Sequence, residues 1–101
     1  MTARIIVTEA ANADTDEIQT WLAAAAGIVV ALRYTAKFIA LYDRISVWPD
    51  SGAPRPRLGQ GIRIGIVTPY IVIYRHDPSQ RLVWILRIVH GKRRMTRRLL
   101  A

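Results

Sequence analysis

The chain has no cysteine, which removes both a disulfide framework and any thiolate metal site, and its two histidines are too few for a zinc centre. It also lacks a long hydrophobic run. The longest, Leu22 to Leu32, contains Gly27, is followed at once by Arg33, and falls well short of the roughly 20 apolar residues that span a bilayer. No secretory leader is expected either, since Ile5-Ile6-Val7 gives way directly to Thr8 and Glu9. These absences predict a cytoplasmic protein with no metal, no cofactor and no membrane contact.

Negative charge is scarce where it would be needed for balance. Residues 1–50 hold four cations and six anions, whereas residues 51–101 hold eleven cations and a single anion, Asp77. The net charge of +8 is therefore a property of the second half, a positive field suited to nucleic acid, a ribosome or an acidic protein segment. A merely solubilising surface would spread its charge more evenly. A chain of 101 residues fits one domain, able to bury roughly 60–68% of its unfolded surface, with residues 91–101 as a flexible basic end.

What is present reads as alternating elements. Arg4 to Val7 is a short β-rich run, and Thr8 is a fitting N-cap with Glu9 beside the positive end of the helix that follows. Ile18, Trp21, Leu22 and Ala25 recur at helical spacing, which places Trp21 in the core, and Gly27 suits the residue after a helix end. From Ile28 to Val47 two apolar rows run side by side, Val29/Leu32/Ala36/Ile39 and Tyr34/Phe38/Leu41/Ile45. So wide an arc must touch two things, the first helix and a sheet. Trp48-Pro49 ends this second helix.

Pro49 to Gly61 is a Pro/Gly-rich connector that presents Arg55 and Arg57. Strands follow at Ile62 to Val67, Tyr70 to Tyr74 and Leu82 to Val89, joined by turns at Thr68-Pro69 and Asp77-Pro78-Ser79. In the last of these, strict alternation sets Leu82, Trp84, Leu86 and Ile88 on one face and Val83, Ile85, Arg87 and Val89 on the other, so that Trp84 also reads as core. The fold class is α+β: an N-terminal strand and an antiparallel two-helix hairpin packed on an antiparallel sheet, in the order β-α-α-β-β-β.

Three segments in this order and spacing, WPDSGAPRPRLGQGIR from Trp48, PYIVIYR from Pro69 and ILRIVHGKRR from Ile85, resemble the ParE branch of the RelE/ParE toxin superfamily. The resemblance covers nearly the whole chain. It implies the toxin of a bacterial type II toxin–antitoxin pair, a growth inhibitor bound by a ParD-like or other antitoxin whose acidic, amphipathic C-terminal segment wraps it. It also implies a choice of mechanism. RelE-like members cut messenger RNA on the ribosome, and Arg93 lies where their pattern has a catalytic cation. Two other positions of that pattern, an arginine and a tyrosine, are Ile71 and Leu99 here. ParE-like members instead inhibit DNA gyrase by binding. The resemblance thus favours a gyrase inhibitor without catalytic residues, with the RelE-like endonuclease as the alternative, in which His90 and Arg93 would act.

The residues assigned to target contact are Arg87, His90, Lys92, Arg93, Arg94, Arg97 and Arg98. A guanidinium fork binds phosphate or carboxylate bidentately, and arginines beyond the periodic core pattern have no packing role. Arg87 has a second reading, as a cation snorkelling past the sheet edge. Tyr34, Phe38 and Tyr42 are assigned to antitoxin contact. A stand-alone nucleic-acid-binding domain is the third reading, weakened by the lack of an aromatic stacking motif on exposed strands.

Overall fold

In a computed structural model, which describes residues 2–100, the chain forms β1 (Arg4–Val7), α1 (Glu9–Ala26), α2 (Ile28–Val47), β2 (Ala53–Pro54), β3 (Ile62–Val67), β4 (Tyr70–Asp77) and β5 (Leu82–His90). Single 3-10 turns lie at Pro56–Leu58 and Arg97–Leu100. Met1 and Ala101, the two ends of the expected domain, lie outside the described residues. Among the described residues no helix is long and apolar enough to cross a membrane, and no three His, Cys, Asp or Glu residues gather as metal ligands.

Helix α1 starts at Thr8, whose hydroxyl accepts the Ala11 N–H at 3.2 Å. It stops at Gly27, where φ of 95° is a conformation that glycine tolerates and other residues resist, and α2 begins at the next residue. The two helices pack as a hairpin over one face of a five-stranded sheet of order β1-β5-β4-β3-β2. The expected α+β architecture is present, with one refinement. β3, β4 and β5 form the antiparallel meander, but β1 joins β5 in parallel, pairing Arg4 with Leu82 through Val7 with Ile85. Parallel neighbours need a long crossover, and here the helical hairpin followed by β2, β3 and β4 supplies it. The Pro/Gly connector contributes more than a loop, since β2 pairs with β3 and Leu58 is buried. The Thr68-Pro69 peptide is cis.

Both faces of the sheet are covered. Under the hairpin, Phe38, Leu41 and Ile45 of α2 pack on Val67, Tyr70, Val72, Tyr74, Val83, Ile85 and Ile88. On the other face Ile62, Ile64, Ile73 and Val89 meet Leu58 and Leu99, with Ile71, Leu86, Met95 and Leu100 against them. The basic end therefore does not run free into solvent: it folds back, and Leu99, 6% exposed, anchors it in this second core.

A bulge corrects the strict alternation expected of β5. Ile73 pairs with Arg87 but Tyr74 pairs with Ile85, leaving Leu86 as the extra residue. Beyond it the faces exchange, so Ile88 joins Val83 and Ile85 beneath the hairpin while Val89 turns to the second core. Trp21 is a second correction. It is 62% exposed, because the helical row it belongs to is filled on the sheet side by Leu22 and, in part, Ile18. Trp84 is half-buried.

The bulge occurs where β5 loses its neighbour. β1 ends opposite Ile85, and Thr8 then caps this edge, its N–H donating to Ile85 O at 3.1 Å and its hydroxyl to Ile85 O at 2.8 Å. The next backbone donor, Ile88 N–H, goes to Asp14 Oδ2 at 2.9 Å. The same carboxylate takes Arg87 Nε at 2.7 Å and Nη2 at 3.0 Å, and Arg87 Nη1 donates to Leu99 O at 3.0 Å. Hydrogen bonding to Asp14, then its negative charge, holds the Arg87 guanidinium above its ordinary range, against the effect of burial.

Two substitutions test this account. Asp14→Ala leaves the Ile88 N–H without a partner and Arg87 without its counter-ion, with only Leu99 O still accepting from it, so the expected loss of stability in urea unfolding is about 3 kcal/mol, the lower end for breaking a buried pair. A loss below about 0.5 kcal/mol would make the pair no better than an exposed one. At Gly52 a Cβ would run into the Ile64 carbonyl oxygen and the Tyr74 hydroxyl, which donates to Pro49 O at 2.8 Å and accepts Gly52 N–H at 3.0 Å. Gly52→Ala is expected to cost about 1–3 kcal/mol in the same assay, and a neutral result would show that this loop has room to move.

Candidate functional site

The expected contact residues divide into two groups on two surfaces. His90 ends β5, and the chain then turns through Gly91, with Gly91 N–H on Pro69 O at 2.7 Å and Arg93 N–H on His90 O at 2.9 Å. This turn displays Lys92, Arg93 and Arg94, and the 3-10 turn anchored by Leu99 displays Arg97 and Arg98; all five are exposed. A folded scaffold, not a loose tail, holds these cations.

Which cations remain available follows from their partners. Arg87 is engaged by Asp14 and Leu99 with a side chain only 22% exposed, so its guanidinium is held within the chain and does not reach past the sheet edge, and its first role is to tie α1 to the C-terminal turn. Arg63 is likewise occupied, donating to Asp50 O and Gly52 O at 3.0 and 2.8 Å, with its Nε 3.4 Å from Asp50 Oδ1. Arg97 Nε donates to Arg57 O at 3.2 Å. Among the described residues, the side chains of Lys92, Arg93, Arg94 and Arg98 make no hydrogen bond and no ion pair.

Beside the turn, a pocket of about 360 Å³ opens between α1 and the ends of β4 and β5. Asp14, Glu17, Ile18 and Trp21 line one wall, Tyr70, Ile88 and Val89 form much of the rest, and His90 and Arg93 close it. The α1 residues lie at i, i+3, i+4 and i+7, one helical face. The His90 ring stands edge-on to Tyr70 at 5.9 Å, and its Nδ1 accepts the Lys92 N–H at 3.1 Å, which leaves the proton of the neutral ring on Nε2. Burial, then the neighbouring Tyr34, pushes the Tyr70 phenol above its usual value. No side-chain carboxylate or hydroxyl is hydrogen-bonded to His90 among the described residues. Glu17, Trp21 and Tyr70 were not singled out as site residues because they lie 73, 69 and 20 positions from His90 in the chain; only the packing of α1 on β5 brings them together.

The two positions at which the resemblance to RelE-like members expects an arginine and a tyrosine sit on the opposite face. Leu99 is part of the second core cluster, and Ile71 packs against it. These two side chains hold the C-terminal turn on the sheet.

The outer face of α2 is the second surface. Phe38, expected to meet a partner, is 4% exposed and packs on Tyr70 at 6.0 Å between ring centres, while Tyr34 and Tyr42 lean on the same core. Burial pushes the Tyr42 phenol up to about 12. The row left facing outward is the other one. Ile28, Val29, Leu32 and Ile39 are 53–64% exposed, and Ala36 and Ala40 lie among them. Arg33, Lys37 and Arg44, all exposed, run along one side of this apolar stripe at i, i+4 and i+11.

The geometry agrees with comparisons to known proteins. The family described as ParE toxin of the type II toxin–antitoxin system, parDE, matches residues 5–95. The chain is 30% identical to toxin ParE3 of Caulobacter vibrioides over 89 residues, 88% of this chain and 87% of that protein. Its fold resembles a chain of the chromosomal ParDE system of P. aeruginosa with a TM-score of 0.73 and 23% identity, over 88% of this chain and 96% of the other. A chain of the RelBE2 toxin–antitoxin complex of Mycobacterium tuberculosis gives a TM-score of 0.68 and 22% identity, over 89% and 99%. The order of elements, the fold and a match across nearly the full length converge, and the chain belongs to the ParE toxin family of type II toxin–antitoxin systems.

Proposed function

We propose that this toxin acts in the cytoplasm by binding, with DNA gyrase and its bound DNA as the target, and that a cognate antitoxin silences it by covering α2. The observation that carries the non-enzymatic reading is the packing of Ile71 and Leu99 in the second core, at the positions where the RelE-like pattern has an arginine and a tyrosine. In-line attack on a phosphate without metal needs a proton acceptor, a proton donor and cations against the developing charge. Here those two positions are spent on holding the chain together. The free cations at Lys92, Arg93, Arg94 and Arg98 remain as a recognition surface for phosphates or acidic groups.

The endonuclease reading draws on His90 and Arg93 lining one pocket. Against it, among the described residues nothing hydrogen-bonded to His90 beyond the Lys92 N–H would orient the imidazole as a proton acceptor. Induced expression without antitoxin separates the two readings: DNA-damage signalling before any transcript cleavage is expected, and prompt cleavage of messenger RNA would reject gyrase as the target.

The target surface has its own test. Replacing Arg93, Arg94, Arg97 and Arg98 together by alanine is expected to weaken inhibition of gyrase supercoiling more than about 100-fold, since each charge-assisted contact contributes about 1.5–3 kcal/mol. Circular dichroism is expected to show an unchanged fold, because these side chains lie outside the core. Inhibition by wild type is expected to fall with salt. Equal inhibition by the two folded proteins would reduce the arginines to a solvated surface.

The antitoxin surface is tested by contrast. An acidic amphipathic segment laid on α2 would bury Leu32 and Ile39 and meet Arg33 and Lys37, so Leu32→Ala and Ile39→Ala are each expected to weaken antitoxin binding about tenfold or more, with thermal stability retained. Phe38→Ala is expected to behave in the opposite way, losing about 3–5 kcal/mol of stability. Calorimetry and thermal melting read both, and undiminished antitoxin binding by the Leu32 and Ile39 variants would move the antitoxin elsewhere.

A further inference from the structure

The pocket between α1 and the ends of β4 and β5 holds groups that neither the core nor the edge of β5 uses. Of its two carboxylates, Asp14 is fully engaged by Arg87 and Ile88 N–H. Glu17 makes no hydrogen bond or ion pair among the described residues; only the field between it and Arg87 links the two. Trp21, one turn further along the same helical face, leaves an indole 62% exposed at the rim. Across from them stands Arg93, its backbone fixed by the hydrogen bond to His90 O and its guanidinium unpartnered. A flat apolar surface, an acceptor-only carboxylate and a guanidinium thus face one space of about 360 Å³, within the range of small-ligand sites.

We propose that this pocket is a subsite for a guanosine 5′-phosphate unit, with the base stacked on Trp21, its N1–H and N2 amino group donating to Glu17, and the phosphate on Arg93. The choice of base follows from the carboxylate. It can only accept, and guanine alone presents two adjacent donors on its Watson–Crick edge. Adenine and cytosine set a ring-nitrogen acceptor beside their amino group, and thymine or uracil flanks its single donor with two carbonyls. The choice of phosphate follows from the neighbours of Arg93, since the side chains of Lys92 and Arg94 likewise make no hydrogen bond or ion pair among the described residues. Stacking on an exposed aromatic ring and hydrogen bonding to the Watson–Crick edge is the way proteins read unpaired bases. The unit has two possible sources, a free nucleotide or an unpaired guanine in a strand. The proposal stands whether or not gyrase is the target.

The test is calorimetric titration of the full chain with GMP, AMP, CMP, UMP, guanosine and inorganic phosphate, and with thymidine pentamers that do or do not carry a central guanine. GMP is expected to bind about tenfold or more tightly than the other three nucleotides. Glu17→Gln is expected to erase that preference, Trp21→Ala to weaken GMP about tenfold, and Arg93→Ala to make GMP and guanosine equivalent. None of the three side chains is in the core, so each variant is expected to keep its circular dichroism spectrum. Tighter binding of the guanine-containing pentamer assigns the subsite to a strand, and a GMP preference without that difference assigns it to free nucleotide. Equal affinity for the four nucleotides, a GMP preference surviving in Glu17→Gln, or inorganic phosphate binding as tightly as GMP would each overturn the proposal.

Discussion

The Asp14 carboxylate is the point on which the arrangement of layers depends. β1 covers only the first half of β5, because at Val7 the chain must leave the sheet to begin α1. The remaining edge of β5 would expose an unpaired backbone donor beside an arginine, and burying either without a partner is costly. Asp14 answers both at once, holding Ile88 N–H as a neighbouring strand would and pairing bidentately with Arg87. Since Arg87 also binds Leu99 O, one ion pair joins the first helix, the last strand and the C-terminal turn. The wall and the rim of the candidate pocket are set by the same link: α1 carries Glu17 and Trp21, and β5 leads into His90 and Arg93.

Covering both faces of a sheet with so short a chain leaves little sequence to spare for chemistry. The hairpin takes one face, and the other falls to Leu58 of the connector and to Met95, Leu99 and Leu100 of the basic end. Apolar residues at 71 and 99 are part of that second core, so the packing that fastens the cationic turn in place is the same packing that occupies the two RelE-pattern positions. Close approach adds a further constraint: Leu41 sits directly over Gly65, where a Cβ would come within 2.9 Å of its methyl carbons. The glycine in β3 exists to let α2 down onto the sheet.

Much of this was legible in the sequence. The limits of β1, α2 and β3, the Thr8 cap, the stop at Gly27 and the meander could be read from period, capping and turn chemistry, all of which are local. What escaped reading was decided by distant partners. Two apolar rows on α2 announce two contacts, but the period does not say which row meets the sheet; of Tyr34, Phe38 and Tyr42, the three expected to meet a partner, Phe38 is buried against Tyr70. Trp21 fits the helical period yet lies at the pocket rim, because the sheet below is already filled. The bulge at Leu86 and the parallel pairing of β1 leave no local mark, since each depends on residues more than 70 positions away, Asp14 and Leu82 among them. Arg87 was conspicuous as the one cation in an apolar strand, although its partner was invisible.

The excess of positive charge takes on a different meaning once its members are sorted by partner. Arg87 and Arg63 sit among acceptors of their own chain, and their replacement would be felt first in stability. Lys92, Arg93, Arg94 and Arg98 stand on turns whose backbone is fixed by hydrogen bonds and by the burial of Leu99, while their own side chains bond to nothing described. Like charges gathered on a fixed support repel one another in the free protein, and an anionic partner relieves that repulsion. A preorganised cluster of this kind spends less ordering entropy on binding than a flexible tail would, so the same number of cations yields tighter recognition. The two surfaces then place different demands on their partners. The basic turn requires negative charge held at fixed positions, whereas the stripe on α2 requires an apolar face edged with acid, and a single acidic amphipathic chain long enough to reach from one to the other would satisfy both.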